Sequence, residues 1–509
     1  MPLAFDPRTG KLAYPFLRPH LGKRPPFAPD HGPAPFLEPI HADTETAQPG
    51  ENGPWSLCPL GSRVQSYVVH AINLPVALNA RAGLVDPSGA LFVLKDQEAA
   101  VRADDAHKTP LAIRANAGED CVDVLLKSEL DDTRENAFLS KVDVHIHFVQ
   151  FDVQASDGVN TGFNYEQSVR PFTSEGALLR AAASAGTSVV SVGDAGQFHP
   201  GTLVGVGMAQ DATFELARVR AVDGTTLRLA APLRFTHAAG EIVSNEFVRY
   251  RWYPDVQFGT AYFHDHVDAL HAWRHGLFGA LIAEPPHASY HDPHSGAPLR
   301  SGAIADVHTD GMVSADIVGS FRELVSFIQD DNPLTRVSNS SGSSTCAPSR
   351  SPGVATILRR GSAVASLGDP ATPVLEALLG DPVVVRALVA GTNDLHTWHV
   401  DGHWFRVEPF SLTSPPINAI QIGISERYDL SIARAGGPQN MPGDYLYYNS
   451  RFSKLREGSW GILRVLSPGA GLLSLPGRTA PSVAARGVCP PDAPARPLPS
   501  TRSMRRCRS

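Results

Sequence analysis

From Val64 onward the chain is a succession of short apolar and β-branched runs broken at close intervals by turn residues, a pattern few folds accommodate. Val64-Gln-Ser-Tyr-Val-Val, Ala90-Leu-Phe-Val-Leu, Leu111-Ala-Ile-Arg-Ala, Cys121-Val-Asp-Val-Leu-Leu and Val142-Asp-Val-His-Ile-His-Phe follow one another. Strands this short and this closely spaced predict an all-β sandwich or barrel with Greek-key connections. The 44 glycines and 43 prolines among 509 residues agree with a loop-rich β chain. That length exceeds one ordinary domain, so two or three units are expected.

The pattern divides the chain. Residues 1–60 are rich in Pro, Gly and His without strand or helix period and read as an extended arm. Residues 61–290 form a first β domain, interrupted at about 174–245 by a small β insertion with pieces such as Ser188-Val-Val-Ser-Val, Thr202-Leu-Val-Gly-Val and Leu227-Arg-Leu. The parent domain resumes at Glu246-Phe-Val-Arg-Tyr-Arg-Trp-Tyr. A second unit, 300–470, holds Phe321-Arg-Glu-Leu-Val-Ser-Phe-Ile, Val383-Val-Val-Arg-Ala-Leu-Val and Gly461-Ile-Leu-Arg-Val-Leu, with a Ser-rich flexible loop at 337–353. The composition of 471–509 turns to Pro, Ala, Arg and Ser and predicts a disordered tail.

A net charge of -7 without a long basic run argues against nucleic acid and against an anionic membrane surface. No run approaches the roughly 18 apolar residues of a membrane span, and the N-terminus has no signal-peptide pattern, so a cytoplasmic location is the default. Five widely spaced cysteines, with no Cys-x-x-Cys, make a disulfide framework unexpected. Cys58 and Cys121 lie near one predicted domain and could pair; their separation is not legible in sequence.

Two His-x-His motifs carry the chemistry, His145/His147 and His264/His266. Residues i and i+2 of a strand share a face, so each motif can present two imidazoles to one centre. One such pair is weak evidence in a chain of 20 histidines; two pairs in one predicted domain are much stronger. Imidazole suits copper, iron and zinc alike, so ligand type does not choose among them. The competing reading is a pair of hydrogen-bonded strand histidines at a sheet rim. Asp265, between the second pair, points to the opposite face as a surface carboxylate or one that supports the ligands.

The order of segments resembles the first cupredoxin domain of a multicopper oxidase. Thr109-Pro-Leu-Ala-Ile-Arg-Ala-Asn-Ala-Gly-Glu-Asp-Cys-Val-Asp-Val-Leu-Leu is followed by Val144-His-Ile-His-Phe, Tyr262-Phe-His-Asp-His and Gly276-Leu-Phe-Gly-Ala-Leu-Ile-Ala-Glu-Pro. Phe148-Val-Gln-Phe-Asp, Gly162-Phe-Asn-Tyr-Glu-Gln and the insertion look more like the large manganese-oxidase-type members. The resemblance covers roughly 60–465 and implies tandem cupredoxin-like domains. It also implies a trinuclear copper centre reducing dioxygen with electrons from a small reducing substrate such as a metal ion or a phenol. By position it assigns His145 to the type 2 copper and His147, His264 and His266 to the type 3 pair.

The second half departs from the family. His396-Thr-Trp-His399-Val-Asp401-Gly-His403 is an altered His-x-x-His-x-His motif, so His396, His399 and His403 are weaker ligand candidates. The closing segment, Tyr448-Asn449-Ser450 through Lys454, has no His, Cys or Met, so a type 1 copper is not supported. The chain therefore reads as the C-terminal portion of an oxidase whose remaining ligands come from another domain or chain. The alternative is a non-catalytic copper-binding module; a zinc hydrolase is third, lacking an evident general base. Trp398 and Trp404 are expected in the core. His271 and His275 are expected to support the ligands or to be exposed. His287, His291 and His294 are expected at the surface, and Glu408, Glu426 and Asp429 as structural polar groups.

Overall fold

The computed structural model describes residues 58–79, 84–132, 140–149, 168–210, 212–267, 269–329, 372–390, 394–456 and 458–478. The arm before Cys58, the segment with Gly162–Gln167, the Ser-rich loop, the tail beyond 478 and Cys346, Cys489 and Cys507 lie outside them.

The fold is all-β: two tandem cupredoxin-like sandwiches with a small β insertion in the first. One sheet of the first sandwich runs in the order Phe247–Trp252, Asp120–Glu129, Arg63–Asn73, Ala90–Leu94. The other runs Leu111–Asn116, Phe278–Glu284, Gly259–His264, His145–Ile146. Each sheet contains one parallel pair, Arg63–Ile72 with Asp120–Glu129 and Leu111–Asn116 with Gly279–Glu284, among antiparallel neighbours. The second sandwich repeats this plan, with parallel pairs Arg322–Ile328 with Val383–Val389 and Val374–Leu378 with Ile462–Leu466.

Period-2 alternation positions the site. On the strand Gly259–His264, Ala261 and Phe263 enter the core of the first sandwich, whereas Tyr262 packs into the core of the second. A strand covered on both faces reads as continuously apolar, as Gly-Thr-Ala-Tyr-Phe does. Gly259, at φ +73°, is obligatory: a Cβ there would lie 1.9 Å from Asp429 Oδ2, which reaches across from the second sandwich to the Thr260 amide and hydroxyl.

The insertion is a six-stranded sheet with its own core of Val190, Val204, Val206, Val219 and Leu227. Its hairpin turns at Asp223-Gly224, Gly224 having φ +59°. Lys127 anchors it, donating to the Met208 carbonyl at 2.9 Å beneath the Phe214 ring.

Cys58 and Cys121 form a disulfide, with Cα atoms 5.8 Å apart. A loop of this size stabilises the fold by about 3–4 kcal/mol in the chain-entropy picture.

Candidate metal centre

The two His-x-His motifs meet. Antiparallel pairing puts His145 directly opposite His264, and the His147 amide continues the ladder by donating to the Tyr262 carbonyl at 2.8 Å. All four imidazoles gather at the end of this sheet. Ring centroids are 4.2 Å apart for His145 and His266, 4.9 Å for His145 and His147, and 5.0 Å for His147 and His264. Among the described residues, His145, His147 and His264 are one of only two groups of three or more metal-type donors within 4.8 Å of one another. His264 is 1% exposed; the other three are half-buried.

The tautomers are fixed by surrounding groups. His264 Nδ1 donates to the Asp265 carbonyl at 2.8 Å, which leaves the lone pair on Nε2. His147 Nε2 lies 2.8 Å from that atom. Two imidazole nitrogens converging this way share one hydrogen in the bare chain and offer two donors to a cation. Burial first, then the neighbouring His145 and His266, hold His147 down to about 4. Burial likewise keeps His264 well below its ordinary value, against the opposing pull of the Asp265 carbonyl. Neutral imidazole, the metal-binding form, is thus the resting state near neutral pH.

This arrangement fixes a pH dependence. A histidine whose folded pKa lies below its unfolded value of about 6.5 binds fewer protons folded than unfolded, so stability is intact above that pH and is lost as pH falls toward about 4. In the metal-free chain the urea midpoint is expected to fall through this window. His147→Gln should flatten the slope by up to about 1.4 kcal/mol per pH unit. An unchanged slope in the variant would show that His147 is not held neutral.

Sequence reasoning missed two supporting side chains. Asp143, fully buried, accepts the His266 amide at 2.7 Å, and its own amide donates to Asp265 Oδ1 at 3.1 Å. Each motif is thereby locked to the other through a buried carboxylate. Of the two roles expected for Asp265, the supporting one matches its place: it is fully buried. Trp273, on the helix after the second motif, sits 4.1 Å from the His264 ring and donates to the Asp265 carbonyl at 2.5 Å. The carbonyl of Trp273 accepts from Gln329 of the second sandwich at 2.6 Å. A carboxylate two residues before His145 was the available signal for Asp143; Trp273 had none. His275 pairs with Asp86 at 2.8 Å, away from this group, and the His271 side chain is outside the described residues.

The histidines of the second motif do not join the cluster. His396 is buried, and its Nδ1 takes a hydrogen bond from the Asn449 side-chain amide at 2.8 Å. Beside it Lys454, also buried, pairs with Asp394 at 2.9 Å. His399 stacks on Tyr448 at 4.5 Å and accepts from the Asn418 amide at 3.2 Å. His403 has both ring nitrogens engaged, Nδ1 donating to the Asp401 carbonyl at 2.8 Å and Nε2 accepting from the Gly436 amide at 2.9 Å. Trp398 is buried as expected, but Trp404 is 51% exposed, because its neighbour Phe405 takes the inward position against Trp398. His291, expected at the surface, is half-buried and stacks on His308 at 4.1 Å.

The other donor group is His70, Glu98 and Glu129. Lys95 lies 3.0 Å and Arg102 2.7 Å from Glu98, so its charges already cancel and a cation gains little there.

No family model matches the chain, and no curated protein does. Among solved structures, it is similar to a copper nitrite reductase from Nitrosomonas europaea at 14% identity over 79% of this chain and 94% of that one, with a TM-score of 0.41. It is also similar to a multi-copper oxidase from Pseudomonas thermotolerans at 12% identity over 85% and 69%, with a TM-score of 0.40. A blue copper oxidase from Nitrosomonas europaea gives 14% identity over 80% and 86%, with a TM-score of 0.37. At such identities and TM-scores these likenesses assign neither function nor site residues. No helix among the described residues is long and apolar enough to cross a membrane.

Proposed function

We propose that the chain is a copper-dependent oxidoreductase of the multicopper oxidase type, with His145, His147, His264 and His266 forming its half of a type 2/type 3 copper centre. The observation that carries this reading is the convergence of the four imidazoles, with the Nε2 atoms of His147 and His264 2.8 Å apart and the His264 tautomer fixed. When bound, copper supplies one-electron chemistry and the reduction of dioxygen at the expense of a small reducing substrate, a metal ion such as Mn(II) or a phenol. The chain's own residues hold neutral donors in place: the Asp143 and Asp265 carboxylates orient the strands, and Trp273 and Tyr262 exclude water from His264. The remaining ligands come from a second domain or chain, since His396, His399 and His403 lie outside the cluster.

A type 1 copper does not fit. Asn449 and Lys454 stand beside His396 where a thiolate and an imidazole would be needed, and both are already paired within the fold. That same observation favours a second reading, a copper-binding module without oxidase activity. The Cys58–Cys121 disulfide supports an oxidising compartment over the cytoplasm.

Copper per chain after reconstitution tests the site. At least one equivalent is expected in the native chain and background only in His145→Ala/His264→Ala. Less than one equivalent, unchanged by the double substitution, would overturn the assignment. Oxygen uptake with Mn(II) or a phenol, with and without a candidate partner chain, then separates oxidase from binding module.

A further inference from the structure

A cleft of about 580 Å³ opens between the two sandwiches, away from the four-histidine cluster. That volume lies in the range of small-molecule sites. Its apolar walls are Phe92, Leu94 and Leu111 of the first sandwich and Leu299, Val374 and Leu472 around the second.

Most of its polar groups are already used by the fold. Asp96 pairs with Arg300 at 2.6 Å, and Arg464 is held by Asp444 through two bonds of 2.8 Å. Gln97 accepts from the Ser301 hydroxyl at 2.6 Å. Asp292 accepts its own loop's amides, His294 at 3.1 Å and Ser295 at 2.8 Å.

Glu376 and His294 are different. His294 Nδ1 lies 3.0 Å from the Gly471 carbonyl and must donate to it, so Nε2 carries a lone pair. That nitrogen faces Glu376 Oε2 at 3.9 Å, too far for a hydrogen bond. Two acceptors thus face each other across a gap that lacks a donor. With Asp96 and Arg464 neutralised by their partners, Glu376 and Asp292 leave the lining negative.

We propose that this cleft binds a small aromatic cation whose N–H groups bridge Glu376 and His294 while its ring lies against the apolar walls. An amidinium or protonated amine meets these requirements; a carboxylate meets none of them. Binding here needs no metal and does not depend on the oxidase reading.

Calorimetric titration of the full chain with benzamidinium tests it, since this cation carries an apolar ring and N–H donors but no free lone pair for copper. Saturable one-site binding is expected, with benzoate giving no heat. Glu376→Gln should weaken binding at least tenfold, and Ala100→Trp, an exposed position on the cleft wall, should abolish it. Circular dichroism verifies that both variants are folded. Absence of saturable binding, equal binding of benzoate, or unchanged affinity in a folded Glu376→Gln variant would each overturn the proposal.

Discussion

Replacing Arg386 by alanine is expected to destabilise the folded chain by about 3–5 kcal/mol, the scale of an ion pair broken by removing one buried partner. Arg386 is 4% exposed and joins three carboxylates from both sandwiches: Glu284 at 2.5 Å, Asp429 at 3.1 Å and Glu323 at 3.2 Å. Glu323 also binds Arg114 of the first sandwich at 2.6 Å. Burial pushes the Glu284 carboxyl well above the usual range, in spite of Arg386. Burial would raise Glu323 as well, but Arg114, the hydrogen bond with Glu284 and Arg386 reverse this and hold it down to about 2. With Glu284 neutral, the charges of Glu323 and Asp429 balance those of Arg114 and Arg386. Deleting Arg386 leaves an unbalanced carboxylate in a dry interface. Urea unfolding followed by fluorescence should show the loss, and Arg386→Ala/Glu284→Gln should recover at least about 1 kcal/mol as a non-additive pair. A loss below about 1 kcal/mol in the single variant would mean that water enters and solvates the network.

This network explains what a sequence does and does not disclose. The strands were legible because their signals are local: Ala90–Leu94, the run from Cys121 and Val383–Val389 announce themselves by composition alone. The four ligand candidates were legible because the His-x-His spacing is itself a statement about one face of a strand. Glu284 and Glu323, by contrast, sit in apolar strands as unremarked charges, and their partners are far along the chain, with Arg114 separated from Glu323 by 209 residues. Asp429 was expected to be merely structural and is so, but as a bridge from the second sandwich to Thr260 of the ligand strand. The Cys58–Cys121 pair was open for the same reason: 63 residues separate them, and only the parallel pairing of Arg63 with Asp120 brings the two cysteines within reach. Trp404 went wrong on a single step of alternation, since Phe405 could fill the core equally well.

The same logic of distant partners makes Asp143 the most informative residue to change near the candidate metal centre. Its side chain takes the His266 amide and its main chain binds the Asp265 carboxylate, so it registers one His-x-His motif against the other without needing to touch a metal. Asp143→Ala leaves the His266 amide without this acceptor and loosens the strand that presents His145 and His147. Copper affinity should fall about 10–100-fold, the usual effect of removing a group that orients ligands, with a stability loss of about 1–3 kcal/mol. Asp143→Asn keeps an oxygen acceptor at the same reach and should recover most of the affinity. Competition titration against a chelator of known strength reads the first quantity, and thermal unfolding of the metal-free chain reads the second. Loss of stability with unchanged copper affinity would make Asp143 a core residue only. Loss of both in alanine, with recovery in asparagine, would establish that the fold holds these histidines in the geometry that a metal requires.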